Sequence, residues 1–154
     1  MLGYWNNEEA TNQTIKNGWL HTGDIGEFDQ EGYLKITDRK KDIIVSLGGE
    51  NIAPSKLENL LTLSSDIEQA CVFGEQKNYI AALIILSLDS KATKEDIQNY
   101  IDEVNKDLTQ PEKIKKFTII DEAFSIENNL MTPTMKVRRH EVEKKYSEII
   151  NNLF

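Results

Sequence analysis

Lys136 stands in "NNLMTPTMKVRRH", a loop with two threonines and a proline, just ahead of a helix that would begin at Arg138, Arg139 and His140. Cations at a helix start oppose the macrodipole, which favours anions there. Such a local conflict is expected where positive charge is needed for chemistry, although lysines and arginines also populate ordinary surfaces. An ammonium group stabilises charge building on a phosphoryl group during transfer. Nearer the N-terminus, "HTGD" sets Asp24 directly after a glycine. An aspartate there accepts backbone N–H bonds in an ordinary turn. A carboxylate can also grip a vicinal diol, as acidic residues grip nucleotide ribose hydroxyls.

Between these two lies "YLKITDRKKDIIVSLGGENIAPSKLENLL", residues 33 to 61. It reads as a strand, a run of five charges (Asp38, Arg39, Lys40, Lys41, Asp42), a second strand, the pair Gly48–Gly49, then a helix start. A solvated connection accounts for the charges and a tight turn for the glycines, and Glu50–Asn51 after them is equally ordinary. Other chemistries have less support. His21 and His140 are far apart and lack Cys/His spacing, so no zinc or other metal site is expected. Neither a Gly-x-Ser-x-Gly elbow nor a Walker loop occurs. The carboxylates show no pairing that would mark a glycosidase.

The elements that must hold these groups follow from pattern. The chain has 154 residues, 39% hydrophobic and 29% charged, which suits a globular domain, or a small domain with an appendage. A net charge of -8, from 18 basic and 26 acidic residues, argues against nucleic acid as a partner. Cys71, the single cysteine, sits in an apolar run and fits a reducing, cytoplasmic setting. The longest apolar stretch, around "IAALIILSL", is far short of the roughly 20 residues of a spanning helix. The start, "MLGYWNNEEATNQ", carries no signal pattern and looks entered in mid-fold.

Residues 8–17 suit a short helix, and "GEFDQEGYLKIT" alternates about Gln30-Glu31-Gly32 as a hairpin. "DIIVSLGGENIA" suits two short strands joined at the glycine pair. Pro54 can open a helix with Leu57, Leu60 and Leu61 on one face. "IEQACVFGEQKNYIAALIILSL" reads as two buried strands, and Thr93 with Asp96 as a capping pair for a helix striped by Ile97, Tyr100, Ile101, Val104 and Leu108. "FTII" (117–120) is a third strand, "SIENNLMTPTM" a loop, and "VRRHEVEKKYSEIINNLF" one closing helix with Val142, Tyr146, Ile149, Ile150 and Leu153 inward. The expected fold is α+β: a small sheet covered by two or three helices from about residue 42. Residues 1–37 hold little that could form a core alone and look like a stub.

In order and spacing, "GYWNNEEAT", "GWLHTGDIG", "GYLKITDRKKDIIVSLGGENIAPSKLE" and "LMTPTMKVRR" resemble the C-terminal end of adenylate-forming (AMP-binding) enzymes, the superfamily of acyl-CoA synthetases, peptide-synthetase adenylation domains and firefly luciferase. The resemblance covers nearly the whole chain. The wording around Arg39 and Gly48, and Met135 before Lys136 where peptide-synthetase domains usually carry glycine, look like the long-chain fatty acid–CoA ligase branch.

The resemblance implies residues 1–38 as the tail of an N-terminal adenylation domain, 39–41 as a hinge and 42–154 as a mobile C-terminal domain. Asp24 matches the aspartate that binds the ribose hydroxyls of ATP and of the acyl-adenylate. Arg39 matches an arginine on the nucleotide's ribose and phosphate side, and Lys41 the hinge position. Gly48 and Gly49, with Glu50 and Asn51, match the loop that meets CoA in thioester formation, and Lys136 the catalytic lysine of adenylation. The implied reagents are ATP, Mg2+ and CoA. The implied partners are a fatty acid and the N-terminal domain, with peripheral membrane contact plausible for the whole enzyme only. The phosphate-binding loop and acyl pocket of the family lie upstream, so this piece is expected to be inactive alone. An aryl or medium-chain acid, and a non-catalytic partner-binding module, stay open as alternatives.

Overall fold

Strands with apolar side chains at nearly every position cannot leave either face of their sheet to water, and two segments of this chain are of that kind. The computed structural model describes residues 1–154 and divides into two compact units, Met1–Lys41 and Asp42–Phe154.

The first unit contains helix α1 (Glu8–Thr14), the short pair β1 (Ile15–Lys16) and β2 (Trp19–Leu20), and the hairpin β3 (Asp24–Phe28) and β4 (Leu34–Arg39). The Asn7 side chain accepts the Ala10 N–H at 2.9 Å and so caps α1. Asp29 closes the β3–β4 turn by accepting the N–H groups of Glu31 and Tyr33, each at 2.9 Å. In residues 1–41 only Asp38 is buried, while Trp5, Trp19, Phe28, Tyr33, Leu34 and Ile36 are all exposed. The unit has no core of its own.

The second unit runs β5 (Ile44–Val45), β6 (Asn51–Ile52), α2 (Pro54–Leu61), β7 (Ile67–Phe73), β8 (Ile80–Leu86), α3 (Lys94–Val104), a 3-10 turn at Gln110–Glu112, β9 (Ile114–Ile119), α4 (Arg139–Lys145) and α5 (Ser147–Asn152). Its sheet has the order β7-β8-β9. β7 pairs with β8 antiparallel and β9 with β8 parallel, the crossover being made by α3.

Side-chain alternation along the strands feeds two separate cores. Ala70, Val72, Ile80, Ala82 and Ile84 pack with Ile44, Ile52, Leu57, Leu61, Ile97 and Ile101, under α2 and α3. Cys71, Phe73, Ala81, Leu83 and Ile85 pack with Phe124, Leu130, Met131, Val142, Ile150 and Leu153, under α4 and α5. Each fully buried leucine or isoleucine contributes roughly 1.5–3 kcal/mol, so neither layer is dispensable. The α+β reading holds, with helices on both faces of the small sheet.

Three elements differ from the sequence reading. β9 begins at Ile114, before the expected "FTII", because Asn105 pairs with the Ile114 backbone in both directions (2.8 and 2.9 Å); the charged Lys115 and Lys116 had masked the strand. The closing helix breaks at Tyr146, whose backbone leaves the helical region (φ -105°, ψ 23°). Past the break Ile150 and Leu153 reach the core, but Ile149, expected inward, is 36% exposed. Helix α1 stops at Thr14, short of the expected residue 17, because Ile15 and Lys16 pair with Leu20 and Trp19 as β1–β2. The loop expected from Ser125 is present and braced: Asn128 accepts the Ser125 N–H at 2.9 Å, and Ser125 O accepts the N–H groups of Leu130 and Met131 at 3.1 and 2.9 Å.

Candidate functional site

Asp24 opens β3 and Arg39 closes β4, and the antiparallel register sets them opposite each other. Arg39 Nε lies 2.8 Å from Asp24 Oδ1, with the aspartate side chain 24% exposed and the arginine 60%. Gly23 reaches φ +75°, Thr22 Oγ1 accepts the Asp24 N–H at 3.1 Å, and Lys40 donates to the Gly23 carbonyl at 2.8 Å. The turn thus fixes the carboxylate at the end of the hairpin, next to a cation. The five-charge run does not behave as one connection. Asp38 and Arg39 belong to β4, and Asp38 is buried with its Oδ1 accepting the Arg39 N–H at 2.7 Å. Only Lys40, Lys41 and Asp42 form the exposed turn.

Gly48 and Gly49 cap the β5–β6 hairpin, with Glu50 behind them and Asn51 opening β6. Gly49 has φ +83°, a conformation that suits glycine. Its N–H donates to Ser46 O at 2.9 Å, and the Ser46 hydroxyl donates to Glu50 Oε2 at 2.9 Å, so the tip is tightly braced. Leu47 N–H donates to Lys77 O at 2.9 Å, which anchors the hairpin to the β7–β8 turn. Beside the tip lies a cleft of about 230 Å³ lined by Ser46, Gly48, Glu50, Lys77, Pro111 and Lys115, among others.

Lys136 follows a tight hairpin. Met131 bridges to Val137, Thr132 N–H donates to Lys136 O at 2.8 Å, and Lys136 N–H donates to Thr132 Oγ1 at 3.1 Å. Met135 holds φ +60° at the tip. The Lys136 side chain is exposed and its ammonium makes no ion pair. The positive patch expected at the start of α4 is smaller than its sequence suggests. Arg138 Nη1 donates to Asn129 O at 3.3 Å and its Nη2 lies 3.7 Å from Glu141. Arg139 turns inward and pairs with Glu58 at 2.8 Å, so the macrodipole conflict is relieved by folding a cation away. His140 stays exposed.

The hairpins of Gly48–Gly49 and of Lys136 therefore hang from opposite faces of one sheet: Ile44 and Ile52 root the first in one core, Met131 and Val137 the second in the other. Asp24 and Arg39 belong to the first unit. Sequence reasoning missed Glu58, an acid on α2 that nothing local distinguishes from a solvated surface residue. Cys71 beneath it is inert: burial pushes its thiol well above the ordinary cysteine range, and Arg139 offsets this only in part.

Residues 41–154 match the family described as the AMP-binding enzyme C-terminal domain. A long-chain-fatty-acid–CoA ligase of Mycobacterium tuberculosis is 37% identical over 174 aligned positions, covering 99% of this chain and 29% of that protein. Fatty acyl-CoA synthetase B of Dictyostelium discoideum is 36% identical, covering 99% of this chain and 26% of its own length. The chain thus spans under a third of these relatives. The adenylation domain of a carboxylate reductase from Mycobacterium chelonae superimposes with a TM-score of 0.88 at 27% identity, covering 98% of this chain and 25% of that one. The corresponding domain from Segniliparus rugosus, solved with AMP and a co-purified carboxylic acid, gives 0.86 at 25% identity, covering 98% of this chain and 26% of that one.

Proposed function

The chain belongs to the AMP-binding enzyme C-terminal domain family, and from that premise we propose that it is the C-terminal part of a long-chain fatty acid–CoA ligase. The whole enzyme would convert ATP, a fatty acid and CoA to acyl-CoA, AMP and pyrophosphate through an acyl-adenylate. The long-chain reading is supported by the curated relatives, 34 to 37% identical in the long-chain ligases of mouse and Mycobacterium tuberculosis. An aryl or medium-chain acid would be distinguished by an acyl pocket that these residues do not supply.

The observation that carries the reading is the pair of unlike hairpins on opposite faces of the sheet. In adenylation a carboxylate attacks the α-phosphate of ATP and charge builds on the phosphoryl oxygens and pyrophosphate. Lys136, unpaired on a braced hairpin, is suited to neutralise that charge. Asp24 keeps a second oxygen free for ribose hydroxyls while Arg39 orients the first. In the second step the CoA thiol attacks the acyl-adenylate, and an ammonium group at the former phosphate position no longer helps. The Gly48–Gly49 tip, with Glu50 and Asn51 beside it, offers bare backbone to a pantetheine arm, and Lys77 and Lys115 in the adjoining cleft suit phosphates. Rotation about Lys41, in the exposed turn between β4 and β5, would exchange one face for the other. No group of three or more acidic, His or Cys residues stands ready to hold Mg2+ here; the ion would enter on the phosphates of ATP.

The test is acyl-CoA formation from palmitate, ATP, Mg2+ and CoA. This chain alone should be silent and the full-length protein that contains it active. In the full-length protein, Lys136→Ala should lower adenylation about 10²–10³-fold, while thioester formation from supplied palmitoyl-adenylate persists. Turnover of ATP by the 154-residue chain alone would overturn the reading.

A further inference from the structure

Glu58 and Arg139 are 81 residues apart in sequence, one on α2 and one at the start of α4. They therefore belong to helices on opposite faces of the sheet. Arg139 donates through Nη1 to Glu58 Oε1 at 2.8 Å and through Nη2 to Oε2 at 3.1 Å, a bidentate pair with side chains 20% and 17% exposed. Glu58 Oε1 also accepts the Val72 N–H at 2.9 Å. β7 is an outer strand, and that N–H points away from β8, so the carboxylate sits on the sheet's free edge. Arg139 Nη1 lies 3.5 Å from Cys71 Sγ on the other face. The pair is a strap around the edge of the sheet, joining the layer that bears the Gly48–Gly49 hairpin to the layer that bears Lys136.

The bonds within 125–138 tie the Lys136 segment to itself. Two polar anchors tie it to α2 and β7. Ahead of the hairpin, Gln69 donates to Phe124 O at 3.1 Å and accepts the Phe124 N–H at 2.7 Å. After it, Arg139 meets Glu58. Arg139 Nε is buried with no partner, an arrangement that maximal stability does not favour and that calls for another reason.

We propose that Arg139 is a positioning residue: its bidentate strap to Glu58 sets the direction of the Lys136 hairpin for adenylation. The proposal rests on the reading of Lys136 as the adenylation lysine. Lysine at 139 would keep the charge but lose the planar two-pronged grip, so Arg139→Lys isolates geometry from charge. Glu58→Gln keeps an oxygen for Val72 and removes the charge, and serves as the second variant.

The experiment uses the full-length protein with Arg139→Lys, Glu58→Gln and, as reference, Lys136→Ala. Adenylation is followed by ATP–pyrophosphate exchange, and thioester formation from supplied palmitoyl-adenylate and CoA. In both strap variants adenylation kcat should fall about 10–100-fold, with KM for ATP and the thioester step each within about threefold of wild type. Amide exchange on this chain should show Thr132 and Arg138 N–H groups of Arg139→Lys exchanging about tenfold faster with β8 unchanged. Equal losses in both half-reactions, or unchanged adenylation, would overturn the proposal. If Lys136→Ala itself leaves adenylation intact, the functional reading has failed first and only the strap's role in adenylation falls with it. Faster exchange at the hairpin would then still mark Arg139 as its anchor, separating the two failures.

Discussion

Met135 holds a left-handed backbone (φ +60°) and is 66% exposed, so it carries both strain and unburied apolar surface at one position. An L-residue there costs about 1–2 kcal/mol, of which glycine would recover part against its own larger unfolded-state entropy. Met135→Gly should therefore stabilise the chain by about 0.5–1 kcal/mol in urea unfolding, and a loss of stability would show that the methionine makes a contact of value. At this scale the sequence was legible where chemistry is local. The Asp24 turn, the glycine turn and the loop before Lys136 were legible as local backbone structure, while the roles proposed for those residues come from the resemblance and not from residue type or spacing. Arg139 was legible only as a charge out of place, since its inward turn depends on an acid 81 residues away. Glu58 gave no sign at all, because burial of a helix acid is decided by what packs over it.

Helices α2 and α3 could be read from leucine and isoleucine spacing, and the Thr93–Asp96 capping box is present, with Thr93 N–H and hydroxyl each donating to Asp96 Oδ2 at 2.7 Å. The break at Tyr146 was not legible, since it is fixed from outside the helix: Glu122, in the segment after β9, takes both the Lys145 ammonium (2.6 Å) and the Tyr146 hydroxyl (3.1 Å). The Lys145 ammonium, then Asn128 and Tyr146, hold the Glu122 carboxyl below the usual carboxylate range. A folded-state pKa lower than the unfolded one stabilises the fold above the unfolded value, about 4.3 for Glu, and this contribution is lost as pH falls through the folded value. Asp96, lowered by the Thr93 hydroxyl and N–H, acts in the same direction. Melting temperature should therefore be level near neutral pH and drop below about pH 4. Glu122→Gln should show a shallower acid drop, and an identical acid profile would remove Glu122 from the account.

In the whole molecule the lack of a core was legible for residues 1–37, and the structure extends it to Lys41. The strands of the second unit were legible as buried from their apolar runs, but the division of its core into two layers was not. Each layer closes on residues of the second unit alone. A chain beginning at Asp42 should accordingly melt within a few degrees of the whole one and keep its amide spectrum, since no core side chain is removed. Collapse of that shorter chain would mean that residues 1–41 stabilise it through contacts outside the two cores. The carboxylate on the outer edge of β7 also bears on how copies of this chain meet one another. An open strand edge is a template for another strand, and β8 directly behind it is a seven-residue apolar run. Glu58 fills the Val72 N–H and, with Arg139, sets an ion pair there, while Lys115 and Lys116 on β9 put charge on the opposite edge strand. Glu58→Ala should self-associate in light scattering at concentrations where Glu58→Gln stays monomeric, because only the first frees the N–H. A monomeric Glu58→Ala would show that the edge is guarded by something else. Otherwise one side chain both holds the fold's two layers in step and keeps its strands from pairing with strangers.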